Sequence, residues 1–272
     1  MDNYFNGRVV WITGASSGIG EALAYELSNA GARLILSSRR MDELERVKQG
    51  CADHAQVQLL EVDLADIPSL EAKVAVAISC FGQVDIMVHN GGITSRSLVA
   101  ETGIEVHRRV MEVDYFSYVE LTRALLPHFI VRKAGHFVVT SSVMGKLGTP
   151  MRSAYAAAKH ALHGFFDCLR AEVAADNIKV TILTPGYIRT NISLFAVTDK
   201  PYGLAKPSES IENGFPADKA AKQIVRAIKK GSFEPYIGRF GGERIALWLT
   251  RWCLNNRYVN VDNLITFVGI II

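Results

Sequence analysis

Short apolar runs alternate along this chain with longer stretches in which apolar residues recur every three or four positions. Residues 8–13, 33–37, 56–62, 84–88, 136–140 and 179–183 are of the first kind. Each predicts a strand, and 136–140 predicts a buried one. Residues 21–30, 68–80, 104–133, 152–175 and 217–230 are of the second kind and predict helices. Within 68–80, Leu70, Val74, Ala77 and Ile78 fall on one face, and residues 233–237 predict a last strand. The alternation predicts a single α/β domain over 1–272, because no linker or repeat divides the chain. The patterns at 104–133 and around Tyr155 are apolar over more than one face. One face is expected to cover the sheet and the other to meet a second subunit, with Phe166 and Leu169 at that interface or in the core.

Two stretches break the alternation. Residues 191–215 are polar, hold scattered prolines and glycines and show no period, which predicts a lid over a substrate. The tail, 242–272, holds an amphipathic piece at 245–254 and an apolar end at 264–272. That end is too short to span a bilayer. It can pack on a neighbouring subunit, cover the cleft, or make peripheral membrane contact.

Composition narrows the partners. The chain has 272 residues, 49% of them hydrophobic, and a net charge of +3 with its cations scattered among acids. No basic block exists, so nucleic acid is not an expected partner. Cys51, Cys80, Cys168 and Cys253 form no Cys-x-x-Cys pair, which fits reduced thiols in a cytoplasmic protein. His160 and His163 lie one turn apart without a third ligand and read as ordinary helix residues, so no metal is expected. Residues 1–7 are polar and run straight into a strand, predicting neither a signal peptide nor an N-terminal anchor.

The candidate chemistry gathers at strand ends. Gly14, Ser16, Ser17, Gly18, Ile19 and Gly20 form a glycine turn between the first strand and the first helix. Such a turn lets the backbone approach a ligand, while free N–H groups at the helix start attract a pyrophosphate. The second strand ends at Ser38, Arg39 and Arg40, where an NAD site would want an acid. Two guanidiniums there suit a 2′-phosphate, so NADP is the expected cofactor. The fourth strand ends in His89, Asn90, Gly91 and Gly92, whose glycines again permit close approach. Tyr155 and Lys159 share a helix face, where an ammonium beside a phenol favours the phenolate and suits proton transfer. Ser142 follows the run 136–140, at the carboxyl end of a strand.

Thr13-Gly14-x-x-x-Gly18-x-Gly20, Asp63, Asn90 to Gly92, Ser142, Tyr155-x-x-x-Lys159 and Pro185-Gly186 stand in the order and spacing of one family. Over residues 8 to about 190 the chain resembles the short-chain dehydrogenase/reductases. Residues 109–116, 152–160, 165–172 and 185–188 look most like the dehydrogenase/reductase member 7 branch, relatives of 11β-hydroxysteroid dehydrogenase. The resemblance implies a doubly wound Rossmann domain with a seven-stranded parallel sheet in the order 3-2-1-4-5-6-7, assembled as a homodimer or homotetramer. It implies that Tyr155 gives or takes the proton, Ser142 holds the substrate oxygen, and Lys159 tunes Tyr155 and bonds the nicotinamide ribose. It places Asp63 by the adenine, Asn90 by the adenosine ribose, Ile188 by the carboxamide, Thr190 by the diphosphate and Arg39 on the NADP phosphate, and it counts Leu64, Gly91, Gly92, Pro185 and Gly186 among the cofactor-binding residues.

Two departures qualify it. His89 stands where the family has asparagine, and Asp114 replaces the asparagine that completes a catalytic tetrad. The chemistry expected is NADP-dependent hydride transfer between the nicotinamide and a carbonyl or alcohol of a hydrophobic substrate. The alternative is a catalytically weakened NADP-binding sensor or interaction protein.

Overall fold

Each apolar run becomes a strand of a parallel sheet, and each crossover carries a helix, so the sheet is covered on both faces. The computed structural model describes residues 4–52, 56–198, 209–239 and 241. The first half runs β1 (Val9–Thr13), α1 (Gly18–Asn29), β2 (Arg33–Ser38), α2 (Met41–Gln49), β3 (Val57–Glu61), α3 (Ile67–Phe81) and β4 (Ile86–His89). The second runs α4 (Ile104–Met111), α5 (Ser117–Arg132), β5 (Gly135–Thr140), α6 (Ser153–Glu172) and β6 (Ile178–Pro185). It closes with β7 (Ile188–Arg189), α7 (Glu209–Glu212), β8 (Phe215–Pro216), α8 (Ala217–Lys230) and β9 (Tyr236–Ile237).

Seven strands pair in the order β3-β2-β1-β4-β5-β6-β9, with β7 and β8 forming a separate two-stranded pair. This is the expected order, β9 taking the seventh place. Successive residues of β1 point to opposite faces: Val10 and Ile12 join Leu23, Leu27, Ile224 and Ile228 under α1 and α8. Val9 and Trp11 join Leu121, Leu125, Phe129 and Phe166 on the other side. The strand order reverses between β1 and β4, and there the carboxyl ends open a crevice.

Two expectations change, and one open alternative is resolved. Helix α2 is not visible in the hydrophobic pattern, because only Leu44 and Val47 of its nine residues are buried and the rest are mostly charged or polar. The single helix expected over 104–133 is interrupted by a π turn, Glu112–Phe116, which adds a residue to one turn and rotates the faces on either side. Phe166 and Leu169 pack into the core with Val139, Val180 and Ile182, not at a subunit interface. Exposed apolar residues in and beside α5 are instead Phe116, Ile130 and Val131.

Parts of the irregular segment lie close to the crevice: Ile192–Phe195 forms a 3-10 turn, and Val197 bridges Ser95. Residues 199–208 and the whole tail expected at 242–272 lie outside the described residues. Among the described residues no helix is long and apolar enough to cross a membrane.

Candidate active site

The cleft at the carboxyl ends of the strands begins with missing side chains. Gly14 adopts φ +64°, and a Cβ there would sit 2.5 Å from the Gly91 Cα, so the ends of β1 and β4 touch backbone to backbone. Gly18, at φ +61°, lies against Thr190, where a Cβ would meet the threonine methyl at 3.0 Å. Thr13 locks the junction. Its Oγ1 accepts from the Asn90 and Gly91 N–H groups at 3.1 and 3.2 Å, while Asn90 Nδ2 donates to the Thr13 and Gly14 carbonyls at 3.2 and 3.3 Å. Ser17 precedes α1 in an extended conformation without a side-chain cap, leaving the first N–H groups of the helix for an anion. A dinucleotide's pyrophosphate fits such a cradle by charge and by the space that glycine leaves.

Of the residues expected to bind the cofactor or take part in the chemistry, all line this cleft of about 340 Å³ except Gly20. Gly20 lies beneath the turn, where a Cβ would be 2.3 Å from the Gly14 carbonyl oxygen, so its smallness serves packing. The two arginines after β2 behave differently. Arg40 Nη2 donates to Ser16 Oγ at 2.9 Å and Ser17 Oγ at 3.2 Å, while Arg39 is exposed on the cleft wall. Asp63 turns inward locally, its Oδ1 accepting from the Ala65 N–H at 2.9 Å, and Leu64 packs on Gly91.

The other half of the cleft is held by polar side chains. Ser142 Oγ accepts from the Met144 N–H at 3.1 Å, which leaves its own O–H free to donate to a ligand oxygen. Tyr155 is half-buried on α6, and Lys159 Nζ lies 5.5 Å from its ring centre and 5.5 Å from that of Tyr118. The ammonium donates to the Thr140 carbonyl at 3.1 Å and faces Asp114 Oδ2 at 3.2 Å. Asp114 sits in the π turn, fully buried, and its Oδ1 accepts from the Ile93 N–H at 2.8 Å. The side chain is therefore turned into the site rather than toward solvent. Oδ1 is thus hydrogen-bonded, while Oδ2 lies within ion-pair distance of the ammonium without a hydrogen bond of its own. Burial lifts its pKa above the usual carboxylate range against the pull of Lys159 and the Ile93 N–H. Burial alone would disfavour the Lys159 ammonium, but Asp114, Tyr118 and Tyr155 carry its pKa above the ordinary lysine value. Lys159 is thus a fixed positive charge with a fixed counter-charge.

Beneath the junction, His89 is fully buried, stacked on Tyr118 with ring centres 4.9 Å apart and 2.9 Å from Thr122 Oγ1. Burial holds its pKa down to about 3, so it is neutral. Tyr118 Oη donates to the Gly91 carbonyl at 2.8 Å, linking this packing to the glycine junction. Behind Ser142, Ser141 Oγ lies 3.2 Å from the Lys159 carbonyl and 3.0 Å from His163 Nε2. Thr13 opens the glycine motif, whereas Thr140, Tyr118 and Ser141 carry no motif signal of their own. Arg152, which immediately precedes the helix of Tyr155, also lines the cleft.

Residues 8–200 match the family of short chain dehydrogenases. Over 273 residues the chain is 46% identical to the dehydrogenase/reductase SDR family protein 7-like of Drosophila melanogaster, covering 96% of this chain and 83% of that protein. A short chain dehydrogenase/reductase from Burkholderia phymatum, in complex with NAD, shares the fold with a TM-score of 0.81 at 23% identity, covering 96% and 99% of the two chains. An alcohol dehydrogenase from Thermococcus sibiricus, complexed with 5-hydroxy-NADP, has a TM-score of 0.74 at 25% identity over 86% and 97%.

Proposed function

Because the chain belongs to the short chain dehydrogenase family, we propose that it is an NADP-dependent oxidoreductase that interconverts a carbonyl and an alcohol on a largely apolar small molecule. The observation that carries this reading is the meeting of Ser142, Tyr155 and Lys159 with the glycine turn on one cleft. The nicotinamide cofactor, when bound, supplies or accepts the hydride. Gly14, Ser16, Ser17, Gly18 and Ile19 hold its pyrophosphate at the start of α1. Asp63, Leu64, Asn90, Gly91 and Gly92 border its adenosine, Pro185, Gly186 and Ile188 border the nicotinamide end, and Thr190 borders the diphosphate. Solved relatives of this fold carry NAD or an NADP derivative, so the choice of NADP rests on Arg39, an exposed guanidinium on the cleft wall suited to a 2′-phosphate.

In reduction, the free Ser142 O–H donates to the substrate oxygen and Tyr155 gives it a proton. In oxidation Tyr155 takes the proton back, with the Lys159 ammonium beside it favouring the phenolate. Asp114 fixes that ammonium and so shares in the catalytic machinery. The exposed apolar residues Phe116, Ile130 and Val131 support a homodimer or homotetramer. Residues 191–215 are proposed as the substrate lid, since Asn191, Ile192 and Ile211 line the cleft.

The test is NADPH consumption with a panel of hydrophobic ketones and aldehydes, in the wild type and in Tyr155→Phe. Turnover that disappears in the variant while NADPH still binds supports the reading. No consumption with any substrate, or equal rates in both proteins, overturns it.

A further inference from the structure

Arg152 is a cation in the cleft with no task in this chemistry. It immediately precedes α6, and its side chain lines the cleft with Tyr155. Its Nη1 donates to Thr94 Oγ1 at 2.9 Å and to the Ser95 carbonyl at 2.9 Å, which fixes the guanidinium against the loop that follows β4. Among the described residues, Nε and Nη2 make no hydrogen bond, and the acids on the cleft wall are engaged elsewhere, Asp114 with Lys159 at 3.2 Å and Asp63 with the Ala65 N–H.

The surroundings make this unpaired charge costly. Burial pulls the pKa of Arg152 down, Tyr187 and Tyr155 act the other way, Arg96 adds to the lowering, and no carboxylate contributes. A guanidinium nonetheless stays protonated. Arg152 also stands at the N-terminus of a 20-residue helix that has no side-chain cap, so the helix dipole adds positive potential at the same place. Other residues lining the same cleft, among them Ile93, Val143, Met144 and Ile211, are apolar. A half-buried cation in such a setting is stabilised when an anion arrives to pair with it.

We infer that the substrate carries an oxyanion, a carboxylate or a phosphate, that pairs with Arg152 while its carbonyl or alcohol reaches Tyr155 and Ser142. The substrate is then an amphiphile rather than a neutral apolar ketone. This rests on the oxidoreductase reading of the same cleft and narrows its substrate class. Nη1 is held by the loop, and Nε and Nη2 are left as the paired donors that an oxyanion accepts in a bidentate bond.

Binding is measured by calorimetry at saturating NADPH with decanoate, decyl phosphate and the neutral decanamide, and turnover is read separately with decanal and 10-oxodecanoate. At least one anion is expected to bind about 10-fold or more tightly than the amide, the size of one charge-assisted contact. Which anion is tighter distinguishes carboxylate from phosphate. Arg152→Gln should bring all three ligands within about 2-fold, and Arg152→Lys, which keeps the charge but not the planar fork, should leave an intermediate preference. Equal binding of anions and amide in the wild type, or a preference that survives Arg152→Gln, overturns the inference. A wild-type comparison suffices if that variant does not fold. Should no carbonyl compound be turned over while the Arg152-dependent preference holds, the oxidoreductase reading fails and the anion site stands. Reduction of decanal without any anion preference does the reverse, upholding the oxidoreductase and removing the anion site.

Discussion

The two halves of the cleft are held together by opposite means. On the side of the glycine turn, the structure depends on atoms that are absent: a single Cβ on Gly14 would collide with the Gly91 backbone, and one on Gly20 with the Gly14 carbonyl. On the side of Tyr155, it depends on charges that are present and buried, Lys159 against Asp114 at 3.2 Å with the Thr140 carbonyl beside them. The first half lets backbone come close to backbone and to whatever enters the cleft, at little electrostatic cost. The second half works by holding a positive charge where water would otherwise screen it, and so needs a counter-charge to be stable.

The charged half is the more costly to disturb. Lys159→Met leaves Asp114 buried without its partner and is expected to cost about 3–5 kcal/mol of stability. Adding Asp114→Leu to Lys159→Met should recover at least half of that loss, because the stranded carboxylate is then gone. Denaturant unfolding of the two single variants and the double variant closes the cycle. A double variant no more stable than Lys159→Met would show that the pair is not the source of the loss. At the other half, adding one methyl group should suffice. Gly14→Ala places a Cβ in a left-handed conformation against backbone, an effect of about 2–3 kcal/mol in stability together with a large loss of NADPH affinity. Thermal melting and cofactor titration check it, and a variant that matches wild type in both would mean the β1 and β4 ends separate freely.

The same difference decides what the sequence reveals. Glycine positions are legible because a backbone constraint excludes other residue types locally, and the strands are legible because β1, buried on both faces, is apolar from Val9 to Ile12. Tyr155 and Lys159 are legible because one helix turn sets their spacing. The contact of Asp114 with Lys159 is not, since it joins two distant elements and depends on a π turn whose extra residue breaks the period of the surrounding helix. Helix α2 escapes for the opposite reason. Its buried side is only Leu44 and Val47, too little to stand out from its charged remainder. Phe166 and Leu169 show that an apolar face is readable while its partner is not.

His89 lies where the two halves meet, and it offers a milder test. Its pKa is about 3 in the folded chain, against 6.5 for an ordinary histidine. Below pH 6.5 the unfolded chain therefore binds a proton that the folded chain refuses, so stability is full above that value and falls as pH drops toward 3. The slope is about 1.4 kcal/mol per pH unit, or roughly 2 kcal/mol between pH 6.5 and 5. His136, also held down to about 3, adds a similar slope of its own. His89→Asn, which restores the family's residue, should remove one of these two contributions. Chemical denaturation at several pH values is the measurement, and an unchanged slope would mean that His89 is not kept neutral by the fold.

The smallest effect concerns Asp114 and the direction of the reaction. With its carboxylate 3.2 Å from Lys159, Asp114 acts on Tyr155 chiefly by cancelling part of the lysine's positive field. A weaker field makes the phenolate harder to form. In the proposed chemistry, reduction needs Tyr155 as a proton donor and keeps it, whereas alcohol oxidation needs the phenolate and is pushed to higher pH. Replacing Asp114 by asparagine retains the acceptor for the Ile93 N–H and removes the cancelling charge. At an effective dielectric of about 20, an uncancelled charge several ångströms away is worth about 1–2 kcal/mol, or roughly one pH unit. In Asp114→Asn the rise of alcohol oxidation with pH should therefore move down by about one unit, with reduction at neutral pH changed by only a few-fold. Profiles of kcat/KM against pH in both directions, for both proteins, read the effect. Superimposed oxidation profiles would mean that the carboxylate does not reach Tyr155 through Lys159, and that this departure from asparagine serves packing around Gly92 and Ile93 instead.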